Sequence, residues 1–248
     1  MLTLPTVQGV IARRILVNYR VDPDALVRLL PPPFRPKLVD GVGMAGICLI
    51  RLEQMRPRFA PPVVGLTSEN AAHRIAVEWD EHGTRREGVY IPRRDTSSRL
   101  SVLAGGTLFP GRHHHARFTV REQDDRYTVA LRSDDGATHV SVDARVTDGL
   151  PTGSVFGSVQ AASDFFEAGS LGYSATPKEG QYDGLELRSL TWQVTPLEVQ
   201  AVQSSFFDDE GHFPAGAMAF DCALLMRGIA HEWHARAPLC VDAREVAR

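Results

Sequence analysis

Three polar breaks punctuate the middle of the chain: Asp80-Glu81-His82-Gly83, Gln123-Asp124-Asp125 and Ser133-Asp134-Asp135-Gly136. Asp and Gly tolerate the left-handed backbone of tight hairpin turns, so each break is a place where a strand reverses. The flanking segments, His73 to Trp79, Gly88 to Ile91, His114 to Glu122, Tyr127 to Arg132 and His139 to Val146, place β-branched or aromatic residues at alternate positions. That period of two marks half-buried strands, and a run of such hairpins predicts an antiparallel meander.

The ends of the chain extend this pattern. Arg14 to Val21 alternates as a strand, Gly43 to Leu52 is an apolar run bounded by Asp40-Gly41 and Pro57, and Leu185 to Gln193 and Val199 to Phe206 also read as strands. Two helices interrupt them. Asp22-Pro23 supplies an N-cap and a first-turn proline for a helix that must stop at Pro31-Pro32-Pro33, and Ser158 to Ala168 is a second, stopped by Gly169. Asp221 to Trp233 is ambiguous: Ala-Leu-Leu-Met favours helix, whereas Ile229, His231 and Trp233 alternate and favour strand in its second half.

With 248 residues and neither repeat nor Gly/Ser linker, the chain reads as a single domain over 1–248, with a core at about 13–234. A fold of that size buries roughly 70–75% of its unfolded surface and needs no staple. A formal charge of −3 argues against nucleic acid as a partner. Cys48, Cys222 and Cys240 are odd in number and far apart, which predicts thiols in a reducing compartment and no structural zinc finger. Arg13-Arg14 interrupts the N-terminal apolar stretch, and no run approaches the ~20 apolar residues of a membrane span. A cytoplasmic protein with no membrane partner is the expectation.

The densest cluster of reactive side chains is Leu108-Phe109-Pro110-Gly111-Arg112-His113-His114-His115-Ala116-Arg117-Phe118. Of 27 basic residues, only Lys37 and Lys178 are lysines. Chemistry that needs an amine therefore has few places to occur. In a strand His113 and His115 share one face, and with a third donor such as Glu69 or His73 they would form a metal site of a kind found in β-barrels. His231-Glu232-Trp233-His234 lacks the one-turn histidine spacing of a zincin helix.

Tyr19-Arg20-Val21-Asp22-Pro23-Asp24-Ala25-Leu26 followed by Leu30-Pro31-Pro32 resembles the opening of the acetoacetate decarboxylase-like superfamily. Gly65-Leu66-Thr67-Ser68-Glu69-Asn70 is similar to the segment carrying that superfamily's active-site glutamate, and Gly105 to His115 to the segment holding its Schiff-base lysine. Gly88-Val89-Tyr90-Ile91 and Phe109 to Phe118 resemble an uncharacterised branch of the superfamily. The resemblance spans about Arg13 to Trp233 and implies a mainly β, α+β fold: a curved antiparallel sheet closing into a cone-like barrel around a pocket, with a few short helices and a possible homo-oligomer.

The resemblance also implies roles. His113 and His114 fall where the family keeps its paired lysines, and an imidazole cannot form an imine. Glu69 takes the glutamate position, with Asn70 as a rival one residue on. Arg13 or Arg14 lies near the family's carboxylate-binding arginine, a task suited to a guanidinium. His73-Arg74 and Arg93-Arg94-Asp95 complete the candidates, with His73, Arg93 and Arg94 assigned to a substrate-binding shell. The expected function is a small-molecule enzyme of lyase, hydratase or isomerase type. It would act on a carboxylate- or carbonyl-bearing substrate through His113, His114 and Glu69, with no cofactor, no metal and no lysine imine. The alternatives are a non-catalytic ligand-binding barrel or sensor, and a metal enzyme using His113 and His115.

Overall fold

The computed structural model describes residues 6–103 and 111–241. In chain order the elements are β1 (Val7–Val21), α1 (Pro23–Leu29), β2 (Arg35–Pro36), β3 (Leu38–Val39), β4 (Val42–Pro57), a 3-10 turn (Pro62–Val64), β5 (Leu66–Glu81) and β6 (Thr84–Thr96). They continue as α2 (Arg99–Leu103), β7 (His113–Gln123), β8 (Arg126–Ser133), β9 (His139–Val146), α3 (Val159–Ala168), β10 (Leu171–Ala175), β11 (Gln181–Ser189), β12 (Thr195–Ser204) and β13 (Met218–Cys240).

The turn chemistry works as the sequence implies. His82 and Gly83 (φ 50 and 77°) reverse β5 into β6, and Asp124 and Asp125 (48 and 61°) reverse β7 into β8. Two successive positive φ values match the right-handed twist of the strands they join. Asp22 caps α1 by accepting from the Asp24 amide (2.8 Å), and Ser158 caps α3 by accepting from that of Ala161 (3.1 Å).

All thirteen strands belong to one sheet, ordered β11-β10-β6-β7-β8-β9-β12-β13-β1-β4-β5-β2, with β3 on β4. Two further pairings, β5 with β6 and β11 with β13, bring this sheet back onto itself. It is not wholly antiparallel, which corrects the meander expected from the turns. β6 runs parallel to both β7 and β10. A parallel neighbour needs a long connection, and the break between Thr96 and His113 is such a crossover rather than a hairpin.

The ambiguous segment at 221–233 is strand throughout. Its first half, 221–226, is buried on both faces: Ala223 and Leu225 point into one hydrophobic body, and Cys222, Leu224 and Met226 into the other. A strand covered on both sides has no polar face to alternate, so its sequence reads like a helix.

The same division organises the wall formed by β1, β4 and β5. Odd positions such as Ile15, Val17, Ile47, Leu49, Ala71 and Ile75 enter the first body, which β8 and β9 cover with Val129, Leu131 and Val142. Even positions such as Leu16, Cys48, Ile50 and Ala76 enter the second, covered by Phe166 of α3 and Leu187 of β11.

His73 lies in the first body at 0% exposure, 4.9 Å from the ring of Phe206, with Nε2 3.1 Å from Ser204 Oγ. Burial, aided by Arg93, pushes its pKa down from 6.5 to about 3. Between those values the unfolded chain holds a proton that the folded chain does not, so the group destabilises the fold as pH falls through that window. The slope reaches ~1.4 kcal/mol per pH unit. In urea titrations at pH 7 and pH 5, His73→Phe is expected to lose less stability on acidification than the unmodified protein; equal losses would exclude this origin.

Candidate functional site

Between the even face of the β1–β4–β5 wall and α3, β6, β10 and β11 lies a cavity of about 190 Å³. Its wall carries Arg14 from β1, Cys48 and Ile50 from β4, Asn70 and Arg74 from β5, Arg94 from β6 and His113 from β7. Strand register explains why these residues meet. Arg14 is opposite Ile50, Ile50 opposite Asn70, Ala72 opposite Arg94, and Arg94 opposite His113. Laterally paired residues project to the same face, so five strands each deliver side chains to one surface.

Two local devices adjust that surface. The β5–β6 register shifts between His73 and Ile75, opposite Ile91 and Pro92, where proline has no amide hydrogen for the ladder. A bulge of this kind re-aims the neighbouring side chains, here Arg74 and Arg94. Gly111 adopts φ 88°, and a Cβ there would stand 3.0 Å from Ser174 Cβ and 3.3 Å from Arg94 Nε. Glycine therefore lets the chain enter β7 directly beside Arg94.

Adjacent basic residues are split between the two faces. Arg14, Arg94 and His113 line the cavity. Arg13 does not: it is buried in the first body, where it pairs with Glu69 (2.5 Å) and Glu122 (2.7 Å). Glu69 is fixed there by Arg51 as well (2.6 Å), so the carboxylate expected at the site is committed to the opposite face. Asn70 holds the cavity position instead. His73 shares the face of Glu69, as their spacing implied, and that face is not the cavity's. Arg93 pairs with Asp95 and Asp135, and His114 with Asp135 at 3.0 Å. Asp95 also reaches the cavity wall, but Arg93 holds its carboxylate, and burial raises its pKa.

The donors named for the metal alternative are not brought together. His115 is 2.7 Å from Asp134, neither Glu69 nor His73 can join His113, and among the described residues no three His, Cys, Asp or Glu side chains are grouped to hold an ion. The lysines stand elsewhere. Lys37 pairs with Glu87 (2.7 Å) over the ring of Phe165, Lys178 lies in the loop before β11, and neither lines the cavity. Leu108, Phe109 and Pro110 fall outside the described residues.

The cavity's electrostatics differ from those of the opposite face. Among the described residues Arg14 donates only to sulfur, Cys48 Sγ at 3.3 Å and Met226 Sδ at 3.9 Å, and it stacks 5.5 Å from Trp192. Arg74 donates to Asn18 Oδ1 and lies 4.8 Å over Phe166, while its buried Nε has no partner among the described residues. Arg94 donates to Ser174 Oγ (3.2 Å). Among the described residues none of the three forms a salt bridge. Burial pushes Arg74 and Arg94 down to about 10, which leaves both charged at neutral pH. His113 is pushed down to about 4, chiefly by burial and then by Arg94, so its imidazole is neutral. Buried guanidiniums without carboxylates leave desolvation uncompensated, and an anion relieves that cost.

Arg74 stands beside His73 in the sequence and had no role of its own there. Its signal was parity: on β5 it shares a face with Asn70, not with Glu69 and His73.

The fold is that of the acetoacetate decarboxylase-like proteins. An acetoacetate decarboxylase-like enzyme from Sphingomonas wittichii RW1 superposes with a TM-score of 0.60 at 14% identity, over 97% of this chain and 94% of the other. The enduracididine biosynthesis enzyme MppR complexed with pyruvate gives 0.58 at 14% identity, over 97% and 91%. Acetoacetate decarboxylase from Legionella pneumophila gives 0.57 at 12%, over 95% and 88%. No curated protein matches the chain by sequence. Residues 11–224 match the model of DUF2071, a family of uncharacterized conserved proteins, and the chain belongs to that family. Among the described residues no helix is long and apolar enough to cross a membrane.

The two adjacent arginines provide a test of the two-faced wall. Arg13→Met leaves two carboxylates sharing Arg51 alone and is expected to cost about 3 kcal/mol of unfolding free energy. Arg14→Met gives up only sulfur and ring contacts and is expected to stay within about 1 kcal/mol. Chemical denaturation of both variants checks this, and a cost for Arg14→Met equal to that for Arg13→Met would contradict it.

Proposed function

We propose that the cavity binds a carboxylate-bearing small molecule and that His113 performs acid–base chemistry on it, in a lyase, hydratase or isomerase type of reaction that uses no lysine imine. The observation carrying this reading is the meeting of three guanidiniums that lack carboxylate partners with a neutral imidazole in one cavity. A structural neighbour that binds pyruvate, MppR, makes a keto acid a reasonable substrate class.

Arg14 and Arg74 would hold the carboxylate, and Arg94 would face the oxygen on which charge develops as a carbonyl compound enolises. Neutral His113 would take the proton from the adjacent carbon, leaving imidazolium and enolate, and return it at the same or a neighbouring atom. Asn70, which lines the cavity where Glu69 does not, would orient the substrate by hydrogen bonding. A bound carboxylate also offsets the field of Arg94, one cause of His113's depressed proton affinity. The imidazole thereby moves toward the range useful for a base at neutral pH.

The proposal is tested by following 2-oxo and 3-oxo carboxylates with the protein in deuterated water by NMR. Deuterium incorporation or conversion is expected, reduced about 10²–10⁴-fold in His113→Gln. Borohydride is expected to trap no adduct. Tight binding without exchange or conversion would favour the ligand-binding barrel, and a trapped adduct would overturn the imine-free chemistry.

Anion affinity should also rise with acidity. The complex is expected to hold the His113 proton at a higher pH than the free protein, whose value is about 4. Binding is therefore accompanied by proton uptake, and it tightens as pH falls from the bound-state pKa toward the free-state one. Calorimetry in buffers of different ionisation enthalpy measures that uptake, which should vanish in His113→Gln.

A further inference from the structure

The cavity gathers three guanidiniums and an imidazole at one end and is mainly apolar at the other, where Arg56 and Ser68 are the polar members. Along the β4–β5 register, the pairs leading away from Arg74 are Gly46 with Arg74, Cys48 with Ala72, Ile50 with Asn70, Leu52 with Ser68 and Met55 with Leu66. Arg94 and His113 stand at the level of Ala72, and Arg14 at the level of Ile50. The three guanidiniums and the imidazole thus fall within the first three levels. Beyond them the wall is Leu52, Ser68, Met55 and Leu66, joined by Arg56, by Val7 and by its β13 partner Trp233.

Eight residue steps separate Arg74 from Leu66, and at ~3.3 Å per residue the wall runs roughly 26 Å. Its volume of about 190 Å³ is below the ~300–1,000 Å³ of cavities that hold drug-sized ligands. So small a volume beside a wall of that length suits an unbranched body. Its apolar end opens outward: Leu66 is 49% exposed and adjoins the 3-10 turn where Val63 and Val64 are 88% and 52% exposed. Arg56 at this end donates to the Gln54 carbonyl oxygen (3.0 Å).

We infer that the ligand is a linear, aliphatic monocarboxylate of medium length. Its carboxylate lies among Arg14, Arg74 and Arg94, carbons 2 and 3 lie beside His113, and the chain runs over Leu52 and Met55 toward Leu66. This rests on the anion site proposed above and adds the class of molecule that fills it.

Calorimetric titration of the full chain with saturated acids from butanoate to decanoate tests it. Affinity is expected to tighten about fourfold per methylene from butanoate to octanoate, the ratio corresponding to ~0.8 kcal/mol per buried CH₂. In Met55→Gln the increment should shrink while butanoate binding stays unchanged. Butanoate and octanoate binding within twofold of each other would overturn the chain-length inference and leave the anion site standing. An α,ω-diacid binding more tightly than the monoacid of equal length would also overturn it, since the far end would then belong to Arg56. Binding of no carboxylate, keto acids included, would overturn the anion site and this inference with it.

Discussion

The structure depends on the period of two along β1, β4 and β5. These strands form a wall with hydrophobic matter on both sides, so their buried apolar residues are divided between the two bodies. A shift of one residue would exchange the two sets completely. The register is held over long pairings, Val7 to Val21 against both β4 and β13, and that length makes slippage costly.

Charge is sorted by the same wall. On one face Arg13, Arg51, Glu69 and Glu122 neutralise one another, closing strands distant in sequence around a buried guanidinium. On the other face Arg14, Arg74 and Arg94 have sulfur, amide, hydroxyl and aromatic neighbours, none of them anionic among the described residues. The first arrangement stabilises the fold. The second keeps a positive field in the cavity, where Arg94 acts on His113 and on whatever enters.

Much of the architecture was legible in the chain because its signals are local. Turn residues with positive φ, the Asp22 and Ser158 caps and the alternation of the hairpin strands located most elements. β13 was harder to read, since burial on both faces erases alternation. The parallel pairing of β6 with β7 was also hidden, because it depends on how a connection of 16 residues crosses the sheet. The site was legible in kind: arginines and a histidine on neighbouring strands. The member of each adjacent pair that faces the cavity was not, as Arg13/Arg14, Glu69/Asn70, His73/Arg74, Arg93/Arg94 and His113/His114 all show.

The sequence by itself determined where strands reverse, which residues could carry chemistry, and that only two side-chain amines exist, at Lys37 and Lys178. Tertiary structure alone decided that Glu69 is tied up with Arg13, and that Arg74 joins Arg14 and Arg94 around His113. The physical reason is that alternation fixes relative facing within a strand. The absolute facing of each strand is set only when its neighbours, through register and bulge, close around it.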